Sequence, residues 1–259
     1  MTVPFVHLRL HSEYSLVDGL VKLKSLVSTT AERRMPALAL TDEANLFGLV
    51  KFYKAAQGAG LKPIIGSDLW LSNPHDEAHP YRITLLAMND VGYRNLTELI
   101  SKGWTDGQRQ GRAILDKQWV LAQSEGLIAL SGGREGEIGR HLLSEHEREA
   151  RQLLEEWQQA FPDRFYLELI RTGRPLEEAC VHASVQLAIE TGTPVVASND
   201  VRFLEREDFW AHETRVAIGE GKALDDPRRE RRYTEEQYLK SPDEMAVMFA
   251  DTPDALENS

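Results

Sequence analysis

Phe5-Val6-His7-Leu8-Arg9-Leu10-His11 is a short, mostly apolar run that ends on an imidazole. Three later runs end on a carboxylate in the same manner: Ala37-Leu38-Ala39-Leu40-Thr41-Asp42, Ile64-Ile65-Gly66-Ser67-Asp68 and Val195-Val196-Ala197-Ser198-Asn199-Asp200. Near-continuous Val, Ile and Leu mark strands buried on both faces. Working outward, seven runs read as strands, over 5–11, 37–42, 63–71, 82–88, 127–131, 165–170 and 194–199. Helical patterns lie between them at 20–33, 46–57, 90–102, 145–160 and 176–191. Leu20, Leu23, Leu26 and Val27 form one apolar stripe; Leu176, Ala179, Ala183 and Leu187 form another. Strands alternating with helices of this length imply βαβ units and a parallel sheet. Seven in one series fit a closed or nearly closed α/β barrel better than an open sheet.

The residues 72–81, with Asn73, Pro74 and Pro80, read as a hairpin loop, so His75 and His79 are expected to be solvated loop histidines rather than ligands. The basic run Arg228, Arg229, Arg231 and Arg232 is flanked by Asp225, Asp226, Glu235 and Glu236. It is expected to be solvated or internally paired rather than a phosphate grip.

With 42% hydrophobic and 27% charged residues over 259 positions, the chain can bury an ordinary core. Its net charge of −11 repels phosphate backbones, which argues against strong nucleic-acid binding by this chain alone. A single cysteine, Cys180, excludes an internal disulfide and suits a reducing cytoplasm. No apolar run reaches 18 residues, which argues against a membrane span. Ser241-Pro242-Asp243-Glu244 and Asp251-Thr252-Pro253-Asp254 open two final helices. The second is barely begun at Ser259, as expected of a boundary within a longer protein.

In a βα barrel the C-terminal strand ends converge on one face. His11, Asp42, Asp68, Asp200 and the Ser131-Gly132-Gly133 turn would meet there, and Asp18 follows the first strand closely enough to return to the same mouth. Carboxylates with imidazole are the ligand chemistry of a hydrolytic metal cluster. Asp42 and Asp90 are equally compatible with plain helix capping. Two of the strand ends also carry an arginine, in Arg9-Leu10-His11 and Asp200-Val201-Arg202. Arginine has no lone pair to give a metal, but it can replace a cation's charge.

The string His7-Leu8-Arg9-Leu10-His11-Ser12-Glu13-Tyr14-Ser15-Leu16-Val17-Asp18-Gly19 closely resembles the opening of the PHP (polymerase and histidinol phosphatase) domain of bacterial DNA polymerase III alpha subunits. So do Ala39-Leu40-Thr41-Asp42-Glu43-Ala44-Asn45, Lys62-Pro63-Ile64-Ile65-Gly66, Gly92-Tyr93-Arg94-Asn95-Leu96 and Ser198-Asn199-Asp200-Val201-Arg202-Phe203-Leu204. The resemblance continues through Leu224-Asp225-Asp226-Pro227 to Tyr238-Leu239-Lys240-Ser241. It implies a distorted seven-stranded βα barrel, with residues 1–259 as a single PHP domain at the start of a longer polymerase chain. Residues from about 220 to 259 would then lead toward the palm.

Active members of the family hold a trinuclear metal site and hydrolyse phosphoesters. Carried over by resemblance, the ligand positions fall on Arg9, His11, Asp18, Glu43, Asp68, Arg82, Gly133, Asp200 and Arg202. Arg9, Arg82, Gly133 and Arg202 cannot ligate as the family does. The expectation is a vestigial pocket with no catalytic residues and no metal, in which the arginines pair with Asp18, Asp68 and Asp200. The resemblance further implies a scaffold that docks the epsilon proofreading exonuclease subunit and the remaining polymerase domains. Magnesium would serve the parent polymerase outside this region. The alternative is a live metal-dependent phosphoesterase, a 3′–5′ exonuclease or pyrophosphatase, using Mn or Zn.

Overall fold

The computed structural model describes residues 5–259. In chain order the elements are α1 (Leu23–Glu32), β1 (Ala37–Leu40), α2 (Leu49–Gly58), β2 (Lys62–Leu71), β3 (Tyr81–Ala87), α3 (Asp90–Thr105), β4 (Gln108–Arg109), β5 (Arg112–Leu115), α4 (Lys117–Ala122), β6 (Leu127–Leu130), α5 (Glu137–Leu143), α6 (Glu147–Ala160), β7 (Phe165–Ile170), α7 (Glu177–Thr191), β8 (Val195–Ser198), α8 (Phe209–Glu220), α9 (Pro242–Met248) and α10 (Pro253–Glu257).

The sheet runs β4-β5-β2-β3-β6-β7-β8, with β1 on the free part of β2. β1 is parallel to β2, and β6, β7 and β8 are parallel to one another. β3 is reversed, antiparallel to both β2 and β6, and the two-residue β4 is antiparallel to β5 at the end of the sheet. The short loop with Asn73, Pro74 and Pro80 turns the chain back, so Leu71 faces Tyr81. That reversal brings Arg82, at the start of β3, to the face where the other strands end.

The first expected strand, 5–11, is the one that departs from a regular ladder. It carries a single parallel bridge, Leu10 to Val201. Its carbonyls still accept from β1 and beyond (Ala39 N to His7 O, 2.9 Å; Thr41 N to Leu10 O, 2.9 Å), and His11 N donates to Val201 O at 3.0 Å. The segment therefore sits between β1 and the end of β8 and closes the barrel. Side chains take the place of ladder partners: Leu10 N donates to Thr41 Oγ1, and His7 Nε2 contacts the Lys240 carbonyl.

The core follows from the pattern. All four residues of β1 are buried, as a strand covered on both faces requires. Ala39, Leu86, Leu130 and Val196 fill the barrel interior. Outside it, Ala150, Leu154 and Trp157 of α6 form a stripe, with Trp157 stacked on Phe165 at 5.7 Å. α9 begins with a reciprocal capping box between Ser241 and Glu244. The cap of α3 is Asn89, whose side chain accepts from Gly92 N, and not Asp90. Among the described residues no helix is long and apolar enough to cross a membrane.

Candidate functional site

The strand ends meet in a charged pocket that opens into a cavity of about 700 Å³. Asp68 lies on β2 opposite Thr84 of β3, and Thr84 Oγ1 donates to Asp68 Oδ1 at 3.0 Å. Arg82 pairs with Trp70 across the same ladder, and its guanidinium lies 3.8 Å from the Trp70 ring centroid. Asp200 and Arg202 follow β8 directly, where Arg202 N donates to Gln237 O.

Arg9 is fully buried and faces three carboxylates: Asp68 at 3.0 Å, Asp200 at 3.3 Å and Glu168 at 3.5 Å. Arg202 reaches Asp18 at 2.5 Å and Asp200 at 2.7 Å, and it also contacts His11 Nδ1. Arg82 contacts Asp68 and, at 3.4 Å, Glu43. His11 spans two carboxylates, Nδ1 to Asp18 at 3.1 Å and Nε2 to Asp68 at 3.0 Å. Every carboxylate among the expected pocket residues thus has a guanidinium partner.

These contacts decide the charge states. Burial works against ionisation of Asp68, yet Arg82 and Arg9 hold its carboxyl well below the usual carboxylate range. Burial is likewise overcome at Asp18 by Arg202 and His11, and at Asp200 by Arg202, Arg9 and Arg174. Burial and Arg202 both disfavour the His11 cation, but Asp18 and Asp68 prevail and raise its pKa. Glu168 moves the other way, raised by burial that Arg9 only partly offsets.

Eight of the nine expected pocket residues share this constellation. The ninth, Gly133, offers no ligating side chain, and its φ of +54 is a conformation that L side chains rarely adopt. Asp42 is not in the network and caps no helix. It accepts from Ser12 N (2.7 Å) and from Ser15 Oγ (2.6 Å), bracing the loop that carries Asp18. His79 is exposed and pairs only with Asp76. Three of the four arginines of the basic run are paired, Arg228 with Asp226, Arg229 with Glu213 and Glu220, and Arg232 with Glu220, while Arg231 is exposed.

Four participants were not expected. Arg174 reaches Glu177 (2.6 Å), Asp200 (3.3 Å) and Glu135 (3.4 Å). Glu168 lies under Arg9, Gln237 Nε2 donates to Asp200 Oδ2 at 2.9 Å, and Tyr233 OH donates to Asp18 Oδ2 at 3.2 Å. Only Glu168 left a trace in the sequence, a lone charge inside Phe165-Tyr166-Leu167-Glu168-Leu169-Ile170.

Residues 7–172 match the PHP domain family. The chain belongs to that family. This PHP domain is 58% identical over 259 residues to the DNA polymerase III subunit alpha of Pseudomonas aeruginosa, and 51% identical over 255 residues to that of Escherichia coli K12. It spans 22% of the length of each of those relatives. Among solved structures, an amidohydrolase from Chromobacterium violaceum with bound sulfate and no metal aligns with a TM-score of 0.53 at 14% identity, covering 76% of this chain and 87% of that one. A two-domain protein from Bacteroides vulgatus, containing a predicted PHP-like metal-dependent phosphoesterase, aligns at 0.50 and 12% identity over 98% of this chain and 62% of that one. Both likenesses are of fold, a distorted TIM-like α/β barrel.

Proposed function

We propose that this PHP domain is a catalytically inactive scaffold within a replicative DNA polymerase III alpha chain. In that role it stabilises the polymerase in the cytoplasm and seats the epsilon proofreading exonuclease, so that editing during DNA replication is supplied in trans. Residues 1–259 form the PHP unit, with about 220–259 leading toward the palm. Nucleotidyl transfer and its magnesium ions belong to other domains of the longer chain.

One observation carries the inactivity. The guanidinium groups of Arg9, Arg82 and Arg202 contact the carboxylates of Asp18, Asp68 and Asp200 that a cluster would use. Both ring nitrogens of His11 are engaged, and Gly133 offers no donor. A metal ion would have to displace fixed cations from each carboxylate. The donor set therefore does not fit the family's trinuclear cluster.

The test is metal content by mass spectrometry after incubation with Zn²⁺ and Mn²⁺ and desalting. Near-zero retained metal with native circular dichroism is the expected result; two or more ions per chain would overturn the reading. Docking is tested by co-elution with purified epsilon exonuclease.

A second reading, a live metallophosphoesterase, draws on His11, Asp18 and Glu43, whose ligand atoms lie within 4.8 Å of one another. Such an oxygen-rich set would favour Mn or Mg over Zn. Against it, Arg202 contacts two of the three residues and Arg82 the third. Hydrolysis of a phosphodiester reporter with Mn²⁺, abolished by Asp200→Asn, would support it.

A further inference from the structure

After α8 the chain returns across the pocket as a strap, residues 233–240. Its pocket-facing contacts come from two uncharged side chains. Tyr233 OH donates to Asp18 Oδ2 at 3.2 Å, and Gln237 Nε2 donates to Asp200 Oδ2 at 2.9 Å. Both acceptors are carboxylates whose position is set by Arg202. Hydrogen bonds to an ionised group are stronger than neutral ones, so the strap's grip depends on those carboxylates staying charged and in place.

The backbone of the strap is stitched to the segment that carries Asp200 and Arg202. Arg202 N donates to Gln237 O at 2.8 Å, Leu239 N to Phe203 O at 3.1 Å, and Asn199 Nδ2 to Tyr238 O at 2.7 Å. Gln237, Leu239 and Lys240 are almost wholly buried. At its far end the Lys240 carbonyl meets His7 Nε2 at 2.8 Å. Ser241 then caps α9, whose Met245 and Phe249 pack with Phe5, Leu169 and the α10 residues Ala255 and Leu256. One continuous line of contacts thus joins the pocket to the two C-terminal helices.

We propose that the strap is a coupling element that transmits the state of the ionic pocket to α9 and α10. While Arg202 holds Asp18 and Asp200, the strap is clamped and the helix pair is fixed; when that grip is loosened, strap and helix pair open together. This rests on the reading of the pocket as a fixed ionic network. Retained metal would overturn that reading, whereas independent opening in metal-free protein would overturn only the coupling.

The test is amide hydrogen exchange with mass spectrometry on Tyr233→Phe, which removes one hydroxyl, and Arg202→Lys, which keeps the charge but loses the two-armed grip. Amides of residues 234–257, the strap with α9 and α10, are expected to exchange about tenfold faster in both variants, with α6 and β6 unchanged. Leu154→Ala, in the apolar cluster around α6, controls for general destabilisation and is expected to leave the strap's exchange unaltered. Acceleration confined to residues 12–21, spread evenly over the chain, or reproduced in the strap by Leu154→Ala would overturn the proposal.

Discussion

Arg9→Ala is the sharpest perturbation of the pocket. Arg9 has no solvent-exposed surface, and it is the cation nearest to Glu168 while sharing Asp68 and Asp200 with other arginines. Its removal leaves three buried carboxylates with one fewer counter-charge. Breaking one side of such a buried pair typically costs ~3–5 kcal/mol, because the stranded charge cannot regain water. For a domain of this size each kcal/mol lowers Tm by about 2–4 °C. The expected loss is therefore on the order of 6–20 °C, read by circular dichroism melting at pH 7 and low salt. Neutralising an acid that Arg9 had balanced should restore part of it, so Arg9→Ala with Asp68→Asn is expected to melt above Arg9→Ala alone. A Tm within about 1 °C of wild type for Arg9→Ala would refute the reasoning. A double variant less stable than the single one would show that Asp68 is held mainly by Arg82 and His11.

Burial depresses the pKa of His7 to about 4, and His212 likewise to about 4. A base held neutral in the fold contributes stability that is full above its unfolded value, about 6.5, and is lost as pH falls through the folded one. Each of the two histidines should therefore withdraw on the order of 2 kcal/mol of unfolding free energy, read from urea titrations, between pH 7 and pH 5, and His7→Gln should remove the share of His7. An unchanged slope would sink the assignment. Asp18, Asp68 and Asp200 have depressed values, so their contribution is present above about 3.9 and lost only in stronger acid. They should add no slope in the histidine window. Gly133→Ala is expected to lower stability by about 1–3 kcal/mol, because a Cβ at φ +54 meets Ile170; a neutral result in thermal melting would mean that the turn can relax. Gly133→His should do the same without conferring retained metal, measured by mass spectrometry.

The barrel was largely legible because its strands are covered on both faces. Ala37-Leu38-Ala39-Leu40 and Leu127-Ile128-Ala129-Leu130 have no polar face to disguise them. The hairpin before β3 followed from the turn chemistry of Asn73-Pro74 and Pro80, whereas Arg82 was placed in the pocket by the family resemblance. α8 was missed for a physical reason. His212 and Glu213 point inward where an apolar stripe would be sought, and they are tolerated there because His212 contacts the Asp18 carbonyl and Glu213 pairs with Arg229. The hairpin of β4 and β5 is too short, at two and four residues, to carry an alternating signal. Arg174, Tyr233 and Gln237 reach the pocket from irregular segments, where no periodicity ties a side chain to a face. Strand ends have a defined destination, which made His11, Asp68 and Asp200 readable; the remaining ligand positions came from the family resemblance, and the partners from loops were not readable.

Closure of the ring by the first segment also sets an order of events during synthesis. His11 and Arg202 are in contact yet 191 residues apart. At about 5–20 residues per second, the opening strand emerges from the ribosome on the order of 10–40 s before its partner beyond β8 exists. Throughout that interval Arg9 lacks Asp200, His11 lacks Arg202, and Leu10 lacks Val201. The nascent chain must hold an open, one-edged sheet whose final seam is its most distant pairing, and long-range pairings of that kind are the slowest to form.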